Sequence, residues 1–468
     1  MIDINLIREK PEWVKQQYQR RHDEGAFARI DLILELDRRR RTLLHESEGL
    51  QAERKKLNQA MGRFRGNKNL TPGAMAAAAM ETVRAITAQD YAGALEMLSN
   101  PPNTGEGDKE AALNALTESM RLIGERVEEL TKLAERVDAD LRDNLLWLPN
   151  ICDERVPEGE SSEQNIIYPA EGTPRQFDFT PKPHWELGPA LDVIDFERGV
   201  KLSGTRFYIL KGMGARLQRA LINFCLDFHA QRGFTEFYLP FLVKDAMMEG
   251  AGQFPKFRND VFQDRDAELY LLPTAEVGLT NVHREEILEA DQLPLNYVAN
   301  TPCWRREAAS AGRDVRGIKR VHQFQKVEMY KIVAPENSAA ELETLVNAAS
   351  DICRALKIPF RKVALCAGDT GFGMAQTFDL EMWSPGCGEW LEVSSCSNAK
   401  DFQARRAALK YRPTPGAKAE FLHTLNGSGL AMPRVIIAIL ENYQQSDGSV
   451  VVPEVLRPYL GGLDVIRR

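Results

Sequence analysis

The chain has 468 residues, 43% hydrophobic and 27% charged, with a formal net charge of −7. That balance is the balance of a soluble globular protein of two to four domains, and no run approaches the ~18–20 apolar residues that span a bilayer. Seven scattered cysteines make no CxxC pair, Cys387 and Cys396 being the nearest two, which argues against a disulfide framework and a structural zinc site. The opening "MIDINLIREKPEW" has no apolar signal region, so a reducing, cytoplasmic location is expected.

Residues 28–65 lack proline and place Ile33, Leu36, Arg40, Leu43, Ser47, Leu50, Arg54, Leu57, Met61 and Phe64 at alternating steps of three and four. Leu113, Leu116, Met120, Ile123, Val127, Leu130, Ala134, Val137 and Leu141 repeat the pattern without a break. A seam held over about four heptads predicts a coiled coil. Two such helices predict an antiparallel hairpin, each helix reaching ~45–55 Å. Residues 1–68 carry sixteen Lys/Arg against eleven Asp/Glu, and residues 69–175 carry nine against twenty. Two readings of that division stand side by side. A basic helix can pair with an acidic one, or "DRRRRT", "ERKK" and "RFRGNK" can present cations to RNA phosphates. Between the helices, an Ala-rich run and the breaker "SNPPNTGEGD" predict one or two short helices at the hairpin tip, about 67–110. Its role is not legible. The expected domains are 1–145, a Pro-, Gly- and Glu-rich linker 146–180, and 181–468.

The second domain opens with an amphipathic helix over 215–233. "FTEFYLPFLV" follows as a strand interrupted by Pro240, because proline cannot donate a ladder hydrogen bond. "AELYLLPTAE", "LPLNYVANTPCWRRE", "RVHQFQKVEMYKIV", "TFDLEMWSP" and "EWLEVSSCSN" read as further strands. Strands that follow one another through loops, with helices grouped elsewhere, predict an α+β domain with a mainly antiparallel sheet. Neither GxxxxGK[ST] nor a strand-borne GxGxxG is present, which leaves no support for a P-loop or a Rossmann site. One stretch stands out: "CWRREAASAGRDVRGIKRVHQFQKVEMY" (303–330) gathers seven cations in an acidic chain.

That stretch resembles motif 2 of the class II aminoacyl-tRNA synthetases, in the form used by seryl-tRNA synthetases. "GFTEFYLPFLV" is similar to motif 1, the dimerisation element, and "LNGSGLAMPRVIIAILENYQQSDGSVVVPEVLRPYL" to motif 3 and its tail. "AGQFPKF", "LLPTAE" and "EVSSCSNAKDFQARR" match the same family in order, and the coiled-coil arm extends the resemblance over nearly the whole chain. The resemblance implies an ATP site of Arg305, Arg306, Glu307, Arg316, Arg320, Phe324, Glu392, Val393, Ser394, Ser395 and Arg434. Within it, Arg305 would bridge the α-phosphate and the substrate carboxylate by a bidentate fork. Glu307 would face the adenine amino group, Phe324 and Arg434 would sandwich the ring, and Arg316 and Arg320 would reach the distal phosphates. Mg²⁺ would be held with ATP at Glu392 and Ser395. Arg313, Lys319 and Lys326 read better as charged surface.

The same resemblance implies a serine pocket of Thr274, Ala275, Glu276, Arg305, Glu328 and Ser428, with Arg305, Glu328 and Arg434 as the catalytic set. A substrate bearing a hydroxyl and an ammonium calls for an anion and a few acceptors in a tight cavity, and such a cavity rejects alanine by leaving polar groups unpaired. His184, His229 and His423 have no partner at ligand spacing and read as core or hydrogen-bonding residues; Cys396 reads as packing. Trp304, Arg306 and Gln376 depart from the residues more common in the family, and the enlarged tip is the main departure. The implied partners are L-serine, ATP, the long variable arm and acceptor end of tRNA(Ser), and a second copy of the chain, with serylation of a selenocysteine tRNA where the host has one. A homologue that loads an amino acid onto a carrier protein, and a non-catalytic tRNA-binding paralogue, are the alternatives.

Overall fold

The structure is a computed structural model and describes residues 1–468 except 266–267 and 309–313; Arg313 lies outside the described residues. The chain packs as two compact units, Ala28–Leu145 and the remainder, Met1–Phe27 with Leu146–Arg468.

In the first unit, helices Gly25–Arg65 and Lys109–Leu146 supply the two seams. Every position of the heptad pattern in both helices is buried or half-buried. The polar seam positions are matched rather than wasted: Ser47 Oγ meets Thr131 Oγ1 at 3.1 Å, and Arg40 pairs with Asp138 at 2.8 Å. Two short helices, Pro72–Thr87 and Tyr91–Ser99, form the tip. Thr71 caps the first by accepting from the Ala74 N–H, with Pro72 at the first turn where a missing N–H costs nothing. The alanines of this helix allow a close approach to the arm, where Ala76, Ala78 and Ala79 pack with Leu57, Phe64, Leu116 and Met120.

The second unit is built on an eight-stranded sheet. Its spatial order is Ile166–Ile167, Phe360–Ala364, Gln376–Ser384, Glu389–Lys400, His423–Ala431, Gln323–Val333, Leu295–Trp304 and Thr235–Glu236. All pairings are antiparallel except the last, as the α+β expectation required. The period of two divides each strand between two environments. On Gln323–Val333, Val327, Met329 and Val333 face a core formed with helices Met213–Ala230, Ser338–Ala355 and Met432–Asn442. Phe324, Lys326 and Glu328 line a cleft on the opposite face.

The first 27 residues pack with this unit, which differs from a boundary at 145. Tyr18 is buried with its hydroxyl donating to Pro149 O at 2.8 Å, and buried Arg21 donates to Thr370 O at 2.6 Å and Gly371 O at 3.0 Å. A guanidinium committed to backbone carbonyls ties the short N-terminal helices down.

Candidate active site

The cleft encloses about 770 Å³ over the middle of the sheet. Its floor comes from adjacent strands: Thr377, Asp379 and Glu381, then Glu392, Val393, Ser395 and Ser397, then Asn426 and Ser428, then Phe324, Lys326 and Glu328. Glu392 and Ser395 are three residues apart, so a regular strand would turn them to opposite faces. The register answers this: Leu380 pairs with Ser394 while Glu381 pairs with Glu392, leaving Val393 as an extra residue in the ladder. Such a bulge re-aims the chain beside a site.

Twelve of the sixteen residues named from the sequence lie on this wall: Thr274, Glu276, Arg305, Glu307, Arg320, Phe324, Glu328, Glu392, Val393, Ser395, Ser428 and Arg434. Arg305 follows the Leu295–Trp304 strand; its Nε donates to Pro273 O at 3.2 Å and its guanidinium carbon lies 5.3 Å from the Phe324 ring centre. Arg434, on the first turn of helix Met432–Asn442, donates to Glu392 O at 2.8 Å and to Lys319 O at 3.2 Å. Arg320 stands 3.5 Å from the Glu307 carboxylate.

The other four lie off the wall. Arg306 donates to Val261 O at 3.0 Å and covers the Phe262 ring. Exposed Arg316 forms a fork on Asp314, at 3.0 and 2.9 Å, over the Trp185 ring. Ala275 is buried in a neighbouring core, and Ser394 Oγ donates to Ser428 O.

The deepest part of the cleft is anionic. Glu328 is fully buried, Glu276 almost so. Burial, and next the charge of Glu328, push the Glu276 carboxyl up to about 7. Gln403, buried beneath it, fixes its rotamer: Nε2 donates to Glu276 Oε1 at 2.6 Å and to Ala251 O at 3.0 Å. The Gln403 Oε1 accepts from Tyr330 and Thr424. Toward the other end, burial and then the Glu392 charge raise Asp379 well above the carboxylate range, and Asp379 Oδ1 has no hydrogen-bond partner among the described residues.

One expectation is corrected. Lys319 and Lys326 are not surface charges; both are about 94% buried, with 6% of their surface exposed. Lys319 pairs with Glu389 and with Asp314 at 2.8 Å, and Lys326 pairs with Glu328 and donates to Thr274 Oγ1 at 2.8 Å. Asp314 and Glu328 are near in sequence, while Glu389 and Thr274 come from distant parts of the chain, which spacing alone does not reveal. His184 is the buried, hydrogen-bonding residue expected of it. Its Nδ1 lies 2.9 Å from Glu441 Oε1, and Cys387 Sγ donates to the same oxygen at 3.2 Å. Three such atoms could share a metal ion by distance. However, Glu441 already accepts from the His184, Gly386 and Cys387 N–H groups and from Ser384, and His184 Nε2 accepts from the Ile318 N–H at 3.1 Å. The cluster is a saturated knot that pins the loop carrying Lys319 and Arg320. His229 and His423 are pushed down to about 4 by burial, and Cys396 is buried, as packing residues are.

Lys326, Asp379, Glu381, Asn426 and Gln403 were missed as site residues. The signal for the first three was present: Lys326 shares a strand face with Glu328, and "FDLE" alternates two acids across from Glu392. Gln403 reaches the site from a helix and left none.

Residues 257–443 match the family model of the tRNA synthetase class II core domain (G, H, P, S and T), and residues 1–92 match that of the seryl-tRNA synthetase N-terminal domain. The chain is 51% identical to a serine–tRNA ligase of Roseiflexus sp. (strain RS-1) over the whole length of both, and 47% identical to that of Chloroflexus aurantiacus (strain ATCC 29366 / DSM 635 / J-10-fl) over the whole of both. Among solved structures it is similar to seryl-tRNA synthetase from Pyrococcus horikoshii complexed with ATP, with a TM-score of 0.85, 34% identity and coverage of 100% and 99% of the two chains. With its cleft on an antiparallel sheet, its paired arm and its full-length relatives, the chain belongs to the seryl-tRNA synthetase family.

Proposed function

We propose that the chain is a serine–tRNA ligase that joins serine to ATP as seryl-adenylate, releases diphosphate, and transfers the seryl group to the 3′ end of tRNA(Ser). The observation that carries this reading is the charge layout at one end of the cleft: two buried carboxylates, Glu276 and Glu328, beside the guanidinium of Arg305. An α-amino acid needs that opposition, anions for its ammonium and a cation for its carboxylate. Thr274 and Ser428 supply short hydroxyls where a hydroxymethyl side chain has to end. A larger side chain meets the buried polar floor and leaves it unpaired.

Activation is an in-line attack of the serine carboxylate on the α-phosphorus, with charge spreading over the phosphoryl oxygens. Arg305, held over Phe324 and by Pro273 O, orients both reacting groups, and the fixed cation offsets charge without reorganising at the moment of reaction. Phe324 and Arg434 form the two faces of an adenine slot, with Glu307 at its edge. Glu392 and Ser395 fit a magnesium ion, because carboxylate and hydroxyl oxygens suit a hard cation and the neighbouring Asp379 Oδ1 lacks a hydrogen-bond partner among the described residues. Bound there with ATP, magnesium supplies neutralisation of the polyphosphate. In the second step the terminal ribose hydroxyl of the tRNA attacks the seryl carbonyl and AMP leaves, with Arg305 again beside the departing phosphate.

The arm supports the RNA half of the reading. Arg40 of its basic helix pairs with Asp138 of the acidic one, while Arg41 and Lys56 pair within their own helix, and shape and phosphate contacts suit a helical variable arm. A homodimer is supported by Tyr238, 88% exposed beside Pro240 with Leu242 nearby, since an apolar patch of that kind marks an interface. Among the described residues no helix is long and apolar enough to cross a membrane, in keeping with work in the cytoplasm. Serine-dependent exchange of diphosphate into ATP tests the first step. Exchange supported by serine and not by alanine is expected; exchange indifferent to the amino acid contradicts the assignment of the pocket.

A further inference from the structure

The serine reading leaves one buried group without a task. Lys326 lies in the strand Gln323–Val333, two residues before Glu328 and on the same face. Its ammonium pairs with one carboxylate oxygen of Glu328, Oε2, and donates to Thr274 Oγ1 at 2.8 Å. The other oxygen, Glu328 Oε1, is buried and has no hydrogen-bond partner among the described residues. Ser428 Oγ approaches Oε2, at 3.5 Å. Lysine is rarely buried unless paired, and a buried cation is costly to keep. A site that binds an ammonium and already contains one invites a physical explanation.

We propose that Lys326 is a positioning residue that stands in for the substrate's ammonium, holding Oε2 of Glu328 so that Oε1 is turned toward serine. Two buried carboxylates facing each other with no cation cannot both keep their charge, and one takes up a proton. Lys326 opposes that in the empty pocket, drawing the Glu276 carboxyl down against burial and the Glu328 charge. Serine then meets a carboxylate oxygen already held in place and does not have to rotate a carboxyl group. The ionisable groups around the pair are Glu276 and Arg305 within the cleft, and Cys303 and Cys396 on the strands beside it. Lys326 and Arg305 both act on Glu276 in the direction opposite to burial and Glu328. This inference rests on the assignment of the pocket to serine.

The test is diphosphate exchange across pH 5.5–9 with the full chain, Lys326→Met and Lys326→Arg. Exchange by the unaltered chain with serine establishes the pocket first; its absence overturns the serine reading and this inference together. With exchange in hand, Lys326→Met is expected to raise the KM for serine by about tenfold or more while the KM for ATP changes by less than about twofold. The pH midpoint of kcat/KM for serine should move to higher pH by about one unit, since the carboxyl pair then holds its proton longer. Lys326→Arg keeps the charge and the pH midpoint, but its planar fork cannot occupy the same point, so the serine KM still rises. Equal changes in both KM values with no movement of the midpoint mean that Lys326 only stabilises the fold. An arginine variant with the unaltered serine KM overturns the positional claim even if the methionine variant fails to fold.

Discussion

At Glu276 the requirements of folding and of binding oppose each other. Burial first, and the Glu328 charge second, push this carboxyl from its ordinary 4.5 up to about 7. That difference corresponds to ~3 kcal/mol of linkage between folding and ionisation. The sign follows from which state keeps the proton. Below pH ~4.5 folded and unfolded chains both carry it, and the neutral acid is buried without a charge penalty. As the pH rises the unfolded chain loses the proton first, so stability present in acid is lost until about pH 7, and the full penalty persists above. Glu276→Gln keeps the shape and the oxygen that accepts from Gln403 and removes the titration. Urea unfolding followed by tryptophan fluorescence measures the effect cleanly, because all six tryptophans lie in the unit of Met1–Phe27 and Leu146–Arg468. The ligand-free variant should match the unaltered chain near pH 4 and exceed it by ~3 kcal/mol at pH 8, while losing serine activation, a trade of function for stability. In the unaltered chain, serine affinity should rise with pH up to about 7 and then level off, as the ammonium requires the ionised acid. A variant no more stable at pH 8, or equally more stable at both pH values, refutes the reasoning.

Gln403→Leu removes the clamp under Glu276 and strands the Tyr330 and Thr424 hydroxyls. Unfolding should show a loss of ~1–3 kcal/mol, and steady-state exchange a higher serine KM at nearly constant ATP KM. Gly317→Ala places a Cβ 1.9 Å from His184 Nε2 at a backbone φ of +66°; the loop bearing Arg320 must shift, and the ATP KM should rise more than the serine KM. Deleting residues 69–108 removes both tip helices, whose apolar contacts close on the arm itself. Serine activation should survive and tRNA charging alone should change; a collapse of exchange would place the tip within the catalytic machinery.

How far the sequence could be read depends on how local each feature is. The arm is local: a heptad needs only its own neighbours, and Leu116, Ile123, Leu130 and Val137 are buried as their spacing demands. The strand faces are local too, since Val327 and Met329 alternate with Lys326 and Glu328 whatever lies around them. Lys319 and Lys326 are buried, not surface charges, because distant parts of the chain close over them: Glu389, seventy residues from Lys319, and Thr274, fifty-two from Lys326, join the local carboxylates Asp314 and Glu328. His184 reads as a core or hydrogen-bonding residue and is one, but its acceptor Glu441 is 257 residues away and spacing could not name it. The Val393 bulge is a property of two strands in register, and a single strand does not announce it. Residues that line the cleft were most legible where a motif carried them, and least where tertiary packing alone brings a residue in, as with Gln403.

The central claim is that Arg305 drives transfer of serine to tRNA. The direct measurement is acid-stable incorporation of labelled serine into total tRNA by the purified chain, with ATP and magnesium, beside the same assay for Arg305→Ala. The account predicts charging by the unaltered chain and a fall of about 10²–10³-fold or more in the variant, with arm and sheet still folded by circular dichroism. Charging that persists in Arg305→Ala at a comparable rate, or serine-dependent diphosphate exchange with no tRNA product, would contradict it.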